Sequence, residues 1–359
     1  MKKLIRVPAN DTFAALNLML DVLDERVAGF ITPSEVNGVK PEIEGLPDEV
    51  ADSVGLIVES SGSTGVPKRI ELSPTALRAS GEAVLERLGG PGQWLLALPI
   101  NFIAGANVLI RSVLSDTQPV MLNSRVPFTV EAFVRGASLM DGARRYTSVV
   151  PAQLAKLAAA AKQDAFVFSM LRKFDAILVG GQQPNWADVQ ELKSRGVNVV
   201  VSYGMTETGG GCIFDGEPIG GVAYRLSDSL IETSGPTLAE GYGPWFKTND
   251  IGEVENDKLK VIGRSDRVII SGGVKVSLDR IEQAALEIPG VAELVAIALP
   301  TEWGESVGIV YSGSPEVDFG PIEQISVAAK VRESIRVGEI PRLLSGKPDL
   351  LACRALLAD

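Results

Sequence analysis

The chain has 359 residues, a formal net charge of −11, 45% hydrophobic residues and no histidine. An acidic chain is a poor partner for nucleic acid, because affinity for the phosphate backbone comes from clustered lysine and arginine. The lack of histidine excludes histidine-based catalytic triads and histidine metal sites, so any chemistry must use lysine, arginine, carboxylates, hydroxyls, backbone amides or a bound metal.

Length, cysteine content and hydropathy limit the number of folding units, the location of the protein and the chance of a membrane span. A chain of this length predicts two or three folding units. Cys212 and Cys353 are too few for a disulfide framework, which favours a reducing, cytoplasmic location. No apolar run approaches the ~18 residues of a membrane span. After Met1, polar residues such as Asn10 and Asp11 interrupt any secretory signal.

The most informative segment is residues 60–68, SSGSTGVPK, which follows the apolar run 54–58. Glycines let backbone N–H groups approach an anion, and the hydroxyls and Lys68 add donors and positive charge. The spacing G-x-x-G-x-x-K differs from that of a Walker A loop, in which lysine directly follows glycine and precedes Ser or Thr. We predict a phosphate loop of another kind; the alternative is a solvated turn between strands.

From about residue 54 to 204, apolar strands alternate with helical patterns. Strands are predicted at 93–100, 146–150, 174–179 and 197–201, and helices at 104–114, 152–162 and 186–195. This rhythm predicts an α/β fold with a mostly parallel sheet flanked by helices. Ligands of such sheets bind beyond the carboxyl ends of the strands, where residues 60–68, 180–183 and 202–211 lie.

Residues 202–211, SYGMTETGGG, combine side chains suited to a nucleotide. The ring of Tyr203 can stack on a base, and the Glu207 carboxylate can bind a divalent metal. The alternative is a glycine-rich turn with an ordinary surface glutamate.

Beyond about residue 220, short strands and turns continue to 262, and residues 263–267, GRSDR, then break the pattern. Strands are predicted at 268–271, 274–276 and 292–298, and a helix at 278–287. This α+β unit of roughly 90 residues is large enough for a small domain. We therefore predict domains at 1–264 and 267–359, joined at 265–266.

Six segments, taken in chain order, resemble the motifs of the adenylate-forming acyl-CoA synthetase superfamily. They are 60–68, 180–182 (GGQ), 203–208 (YGMTET), 247–250 (KTND), 263–267 and 341–347 (PRLLSGK). Asn249 departs from the family pattern T-G-D, which has glycine there. Six segments in the right order are far more specific than one. The resemblance implies a large α/β N-terminal domain and a small α+β C-terminal domain that rotates about Asp266.

The resemblance also implies a role for individual residues. ATP would be bound by Ser61, Gly62, Ser63, Thr64, Gly65, Lys68, Gly180, Gly181, Gln182, Tyr203, Gly204, Asp250 and Arg264. The catalytic residues would be Thr206 at the α-phosphate, Glu207 on Mg²⁺, and Lys347. Gly272 and Gly273 would form a loop on the coenzyme A side. For Lys347 the alternative is a flexible surface lysine.

The implied chemistry suits a chain without histidine. A carboxylate attacks the α-phosphorus of ATP to give an acyl-adenylate and pyrophosphate, and the thiol of coenzyme A then displaces AMP. The first nucleophile is already ionised, so this step needs positioning and charge neutralisation rather than a general base. Lys347 can bridge the carboxylate and the phosphate as a mobile charge.

The compact chain resembles the short actinobacterial type of o-succinylbenzoate–CoA ligase, from menaquinone biosynthesis. Residues 209–216 and 99–105 resemble those enzymes locally, although Asn101-Phe102 stands where the family commonly has histidine. The implied acyl pocket contains Asn101, Phe102, Ser202, Gly209 and Gly210, and the glycines could leave a flat slot for an aromatic ring. The second carboxylate of this acid requires a cation or hydroxyls, for which the candidates are Arg111, Arg144 and Arg145.

Other functions stay open at this point. The chain could be a ligase for another aryl or short-chain acid. It could also be a nucleotide-binding protein that has lost catalysis, although Glu207, Asp250 and Lys347 speak against this. The expected partners are small molecules. No membrane span is expected in the chain, which could form a homodimer.

Overall fold

A computed structural model describes residues 1–34, 43–60, 68–123, 126–302, 304–324, 327–343 and 346–357. Two compact units divide the chain: Met1–Tyr224 with Thr233–Phe246, and Arg225–Glu232 with Lys247–Asp359. This division by contact density differs from the boundary expected at 265–266, since it groups the strands before residue 264 with the C-terminal residues. A hinge at 265–266 stays a prediction.

The first sheet of the first unit holds both ends of the predicted phosphate loop. Its strands are β1 (Lys2–Pro8), β2 (Ala28–Thr32), β3 (Glu49–Val50), β4 (Leu56–Ser60) and β5 (Lys68–Leu72), in the order β3-β1-β2-β4-β5. β1, β2 and β4 are parallel, whereas β5 runs antiparallel to β4. Ser60 therefore lies opposite Lys68 at the edge of this sheet.

The second sheet is the predicted, mostly parallel one. Its strands are β6 (Gln93–Leu96), β7 (Val120–Met121), β8 (Arg145–Val149), β9 (Ala176–Gly180), β10 (Val199–Met205), β11 (Gly210–Phe214) and β12 (Glu217–Pro218). The order is β12-β11-β10-β9-β8-β6-β7. The pairs from β7 to β10 are parallel, and β11 returns antiparallel to β10. The α/β fold class is confirmed.

Helices accompany both sheets of the first unit. They are α1 (Thr12–Leu23), α2 (Pro74–Arg87), α3 (Ile103–Leu114), α4 (Val130–Ser138), α5 (Pro151–Gln163), α6 (Ala165–Leu171) and α7 (Trp186–Ser194). The side chains of Asp11 and Ser73 cap α1 and α2 by accepting hydrogen bonds from backbone N–H groups. The predicted helices at 104–114, 152–162 and 186–195 are confirmed with slightly shifted ends.

The second sheet is buried on both faces. Along β6, Trp94 and Leu96 belong to one hydrophobic cluster and Leu95 to another. On β9, Leu178 and Ile177 divide in the same way. Successive strand residues face opposite sides, so a sheet covered on both faces needs the nearly continuous apolar runs seen in the sequence.

Two further sheets follow in the chain, and most of their residues belong to the second unit. The first contains β13 (Ala223–Ser227), β14 (Leu230–Ser234), β15 (Phe246–Glu255) and β16 (Lys258–Arg264), in that order. The other contains β17 (Val268–Ser271), β18 (Val274–Ser277), β19 (Val291–Thr301) and β20 (Gly304–Gly313) in the order β18-β17-β20-β19, with β21 (Val331–Arg336) parallel to β20.

Helices α8 (Leu278–Leu286) and α9 (Leu350–Leu356) complete this unit, with short 3-10 helices at Gly320–Gln324 and Val327–Ala329. Ile281 and Ala285 of α8 are buried in one cluster with Val307 and Ile309 of β20. The predicted hairpin at 268–276, the helix at 278–287 and the strand at 292–298 are confirmed. Over the described ranges, no helix is both long enough and apolar enough to cross a membrane.

Candidate active site

Two predicted nucleotide segments meet in the first unit. Lys68 begins β5, and Glu207 lies in a 3-10 helix (Thr206–Thr208) directly after β10. Lys68 Nζ is 3.9 Å from Glu207 Oε1, with 58% of the Lys68 side chain and 16% of the Glu207 side chain exposed. An ammonium beside a carboxylate, open on one side, can meet a metal–triphosphate: the ammonium attracts phosphate oxygens, and the carboxylate binds the metal.

Glu207 fits a magnesium ion that arrives with a nucleotide. Mg²⁺ is usually bound through one or two carboxylates together with substrate phosphates, rather than by a cage of protein side chains. The described part of the chain contains no group of three or more His, Cys, Asp or Glu side chains able to hold a metal.

Part of the predicted phosphate loop lies outside the described residues. This applies to Ser61, Gly62, Ser63, Thr64 and Gly65. Their assignment to the phosphates stays a prediction. At the ends of the loop, the Ser60 hydroxyl donates a hydrogen bond to the Lys68 carbonyl at 3.3 Å.

The turn between β10 and β11 is held closed by its own residues. The Thr208 hydroxyl accepts a hydrogen bond from Met205 N at 2.9 Å and donates one to Gly210 O at 2.7 Å. Gly209 has φ +66°, and a Cβ at Gly204 would lie 2.0 Å from Gly210 O. The glycines therefore let the two strands approach closely, with Thr206 buried and Glu207 partly exposed between them.

The predicted adenine turn lies beside this motif. Gly180 ends β9 and pairs with Ser202 of β10, and a Cβ at Gly180 would lie 2.7 Å from the Ser202 carbonyl. Gly181 has φ +88°, and Gln182 is exposed. The turn thus lies within one residue of Tyr203, which is partly buried on β10. The contacts of these residues with adenine stay predictions.

Two buried polar side chains that the sequence did not indicate hold the glycines of the predicted acyl pocket. Asn107 Nδ2 and Ser80 Oγ both donate hydrogen bonds to Gly209 O, at 2.9 and 3.1 Å. A Cβ at Gly210, which has φ +101°, would lie only 2.3 Å from Asn107 Nδ2. Asn107 is a polar residue in the otherwise apolar stretch 103–110 of α3, but the sequence does not indicate what it contacts.

Ile103 and Ser202 lie near the glycine strand, the part of β11 formed by Gly210 and Gly211. Asn101 and Phe102 are partly buried in the turn before α3, and Ile103, which begins that helix, would lie 3.6 Å from a Cβ at Gly210. Ser202 faces the same strand, since its Oγ would lie 2.0 Å from a Cβ at Gly211.

The three arginine candidates for a second carboxylate differ sharply in environment. Arg111 on α3 is 3% exposed, and its guanidinium lies 5.1 Å from the Trp94 ring centroid. Its buried Nε has no hydrogen-bond partner among the described residues, and burial lowers its pKa to about 9. By contrast, Arg144 is exposed, and Arg145 Nε donates to Gly142 O at 3.2 Å.

In the second unit, the residues predicted to bind the ribose and to form the hinge make one ionic group. Asp250 is buried on β15, and its backbone N–H donates to Thr248 Oγ1 at 3.0 Å. Arg264 Nη1 is 3.5 Å from Asp250 Oδ1, and Arg264 Nε donates to Asp266 Oδ1 at 2.8 Å. The hydrogen bond between Arg264 and Asp266 lowers the pKa of Asp266 and raises that of Arg264.

Helix α8 anchors the residues on both sides of the predicted hinge. Asp279 accepts a hydrogen bond from Arg264 N at 2.6 Å and pairs with Arg267 Nε at 2.6 Å. Arg267 also pairs with Glu282, whose pKa is raised to about 6 by burial. Arg264 and Asp266 were singled out from the motif, whereas Asp279 and Glu282 were not, because carboxylates on an amphipathic helix look like ordinary surface charges.

Lys347 is exposed in a tight turn of the second unit. Leu343 N donates to Lys347 O at 2.8 Å, and Gly346 N donates to Leu343 O at 2.9 Å. Arg342 supports the turn through hydrogen bonds to Gly346 O at 2.8 Å and to Glu293 Oε2 at 2.7 Å. Gly272 and Gly273 form the exposed turn of the β17–β18 hairpin with φ +55° and +83°.

Comparison with known proteins places this geometry in context. The sequence model described as AMP-binding enzyme matches residues 7–240. A Mycobacterium tuberculosis protein named probable 2-succinylbenzoate–CoA ligase is 36% identical over 378 aligned residues, covering 97% of this chain and 96% of the relative.

Solved structures support the fold. The o-succinylbenzoate CoA synthetase of Bacillus subtilis, in complex with its acyl-adenylate intermediate, aligns with TM-score 0.72 at 20% identity, covering 97% of this chain and 83% of that one. The amide bond synthetase McbA from Marinactinospora thermotolerans aligns with TM-score 0.72 at 19% identity, covering 99% and 80%.

The contact between Gly210 and Asn107 predicts a specific penalty for a side chain at position 210. Gly210→Ala should lower the free energy of unfolding by about 2–4 kcal/mol, since it adds a steric clash to the cost of a left-handed backbone. Gly89→Ala is the matched control, because Gly89 has φ +97° and nothing within 4 Å of its would-be Cβ. Urea denaturation measures both; equal losses would show that Asn107 imposes no constraint at this position.

Proposed function

The chain belongs to the family of AMP-binding enzymes, and from this premise we propose that it is an AMP-forming ligase that activates o-succinylbenzoate with ATP and transfers the acyl group to coenzyme A. This is a step of menaquinone biosynthesis. The observation that carries the proposal is the meeting of Lys68 and Glu207, which joins the ends of two nucleotide motifs. The choice of acid is supported by the similarity to the mycobacterial relative over nearly the full length of both chains.

In the first half-reaction, a carboxylate oxygen of the acid bonds to the α-phosphorus of ATP, and the bond from that phosphorus to the bridging oxygen breaks to release pyrophosphate. Lys68 holds the β- and γ-phosphates, Thr206 contacts the α-phosphate, and Asp250 accepts hydrogen bonds from the ribose hydroxyls. Glu207 would hold Mg²⁺, which would neutralise part of the phosphate charge. In the second half-reaction, the thiolate of coenzyme A attacks the acyl carbonyl and AMP leaves.

Lys347 serves the first half-reaction as a charge that bridges the carboxylate and the α-phosphate. Its exposure and its position on a turn supported by Arg342 suit a group that is delivered to substrate rather than built into a buried site. Rotation about 265–266 then withdraws Lys347 and brings the hairpin with Gly272 and Gly273 to the coenzyme A side.

Arg111 binds the second carboxylate of o-succinylbenzoate. A buried guanidinium with no carboxylate partner in the described ranges is costly in the free protein, and an incoming anion offsets that cost through charge-assisted hydrogen bonds. Arg111 lies on α3 with Asn107, one helical turn before it, whose amide holds the Gly209 carbonyl. An aromatic ring against the glycine strand would thus direct its second carboxylate toward α3.

The same environment of Arg111 argues against rival functions. A monocarboxylic aryl or short-chain acid would leave this guanidinium without an anion, and a nucleotide-binding protein without catalysis would not need it. The proposed partners are small molecules in the cytoplasm. A homodimer stays a prediction.

The direct test supplies purified protein with o-succinylbenzoate, ATP and coenzyme A, and measures AMP, pyrophosphate and the thioester. Lys347→Ala should slow adenylate formation by about 100-fold or more, because a charge contact made in the transition state is removed. It should largely spare thioester formation from supplied acyl-adenylate. Lys330→Ala, at another exposed lysine of the second unit, is the control.

Two results would count against these assignments. Equal loss in both half-reactions of Lys347→Ala would refute its specific role in adenylation. Turnover of a panel of monocarboxylic acids, without turnover of o-succinylbenzoate, would refute the proposed acid while leaving the ligase chemistry in place.

Arg111→Met should separate stability from function. The free protein should gain about 1–3 kcal/mol in free energy of unfolding, because an unpaired buried cation is replaced by an apolar chain of similar length. The KM for o-succinylbenzoate should rise at least tenfold with little change in the KM for ATP. Arg144→Met, at an exposed position, should change neither. A destabilised Arg111→Met protein with unchanged KM would mean that Arg111 is structural.

A further inference from the structure

The connection from β14 to β15 links both nucleotide motifs of the first unit. Ala239 N donates a hydrogen bond to Glu207 O at 2.9 Å, and Glu240 N donates to Glu71 O at 2.9 Å. The first bond is to the backbone of the residue whose carboxylate meets Lys68. The second is to β5, the strand that begins with Lys68. Residues 239 and 240 are therefore fixed to both sides of the ion pair.

Tyr242, two residues further along, reaches the Lys68 side chain. Lys68 Nζ lies 5.0 Å from the centroid of the Tyr242 ring, which is within the range of a cation–π interaction. Phe246 meets the Tyr242 ring edge-on, with centroids 4.9 Å apart and planes at 82°, and so fixes its orientation. Gly241 and Gly243 flank it with φ +83° and +67°.

The pKa of Lys68 reflects its contacts with Tyr242 and Glu207. The pKa of Lys68 is raised, chiefly by its interaction with Tyr242 and to a smaller extent by Glu207, while burial acts in the opposite direction. A lysine has a flexible four-carbon chain, and a half-exposed lysine would otherwise sample many positions. The Lys68 ammonium instead interacts with both the Tyr242 ring and the Glu207 carboxylate.

We propose that Tyr242 is a positioning residue that holds the Lys68 ammonium where the β- and γ-phosphates of ATP arrive. This inference rests on the proposed role of Lys68. With MgATP bound, Glu207 would hold the metal in exchange for the ammonium, and the phosphate oxygens would lie beside Lys68. The Tyr242 ring is uncharged and does not compete for the metal, so it keeps the ammonium in position through this exchange.

The test measures dissociation constants for MgATP and for AMP by calorimetry, with neither acid nor coenzyme A present. Tyr242→Leu should weaken MgATP about tenfold, which lies within the range of a cation–π contact, and should change AMP less than twofold, because AMP lacks the phosphates that Lys68 meets. Tyr242→Phe keeps the ring and should restore most of the MgATP affinity. Tyr224→Leu, at another partly buried tyrosine, should change neither constant.

A double-mutant cycle distinguishes positioning from a structural role. Lys68→Met should weaken MgATP at least tenfold, and adding Tyr242→Leu to it should cost less than a further twofold, because the ring would then have no ammonium to hold. Additive losses would overturn the proposal, as would equal weakening of AMP and MgATP, or unchanged MgATP affinity in Tyr242→Leu or Lys68→Met. Since no acid is present, failure here is separate from failure to turn over o-succinylbenzoate.

Discussion

The close approach of β10 to β11 is the constraint on which the site of the first unit depends. A side chain at Gly204 would collide with the Gly210 carbonyl, and one at Gly210 with the Asn107 amide. Glu207 lies in the short turn between these two strands, and Gly210 of β11 faces Asn107 of α3. The predicted nucleotide-binding and acyl-pocket residues thus share one piece of backbone, so a change that separates the strands should disturb both.

Two arginines, Arg267 partly buried and Arg111 buried, show how burial alone fails to reveal a role. Arg267 is surrounded by Asp279, Glu282 and the Ala296 carbonyl, so its charge is balanced within the second unit. Arg111 is more deeply buried, yet it meets an indole face and, in the described ranges, no carboxylate. The ion pairs of Arg267 offset the cost of burying its charge. The Arg111 charge has no such carboxylate in the described ranges, and this is the basis of the proposal that a substrate carboxylate is its counterion.

The sequence predicted the parallel sheet well, because strands covered on both faces must be apolar throughout and because the helices between them follow a regular period. It also predicted the segments near Lys68 and Glu207, since their chemistry is local. It did not predict Asn107, Ser80 or Tyr242. Their significance depends on what they touch, and those partners are distant in the chain. Asp279 was missed for the same reason, since nothing local distinguishes it from a solvated helix carboxylate.

The stacking of Arg111 on Trp94 has an optical consequence. The Arg111 guanidinium places a positive charge near the face of the buried Trp94 indole ring. The indole Nε1 is buried and has no hydrogen-bond partner among the described residues. The energy of an indole excited state depends on the local electric field. An anion that neutralises the guanidinium changes that field without any movement of the ring. Binding of a carboxylate at Arg111, as proposed, should therefore change Trp94 emission, and the change should follow the charge of the ligand and not its chemical conversion.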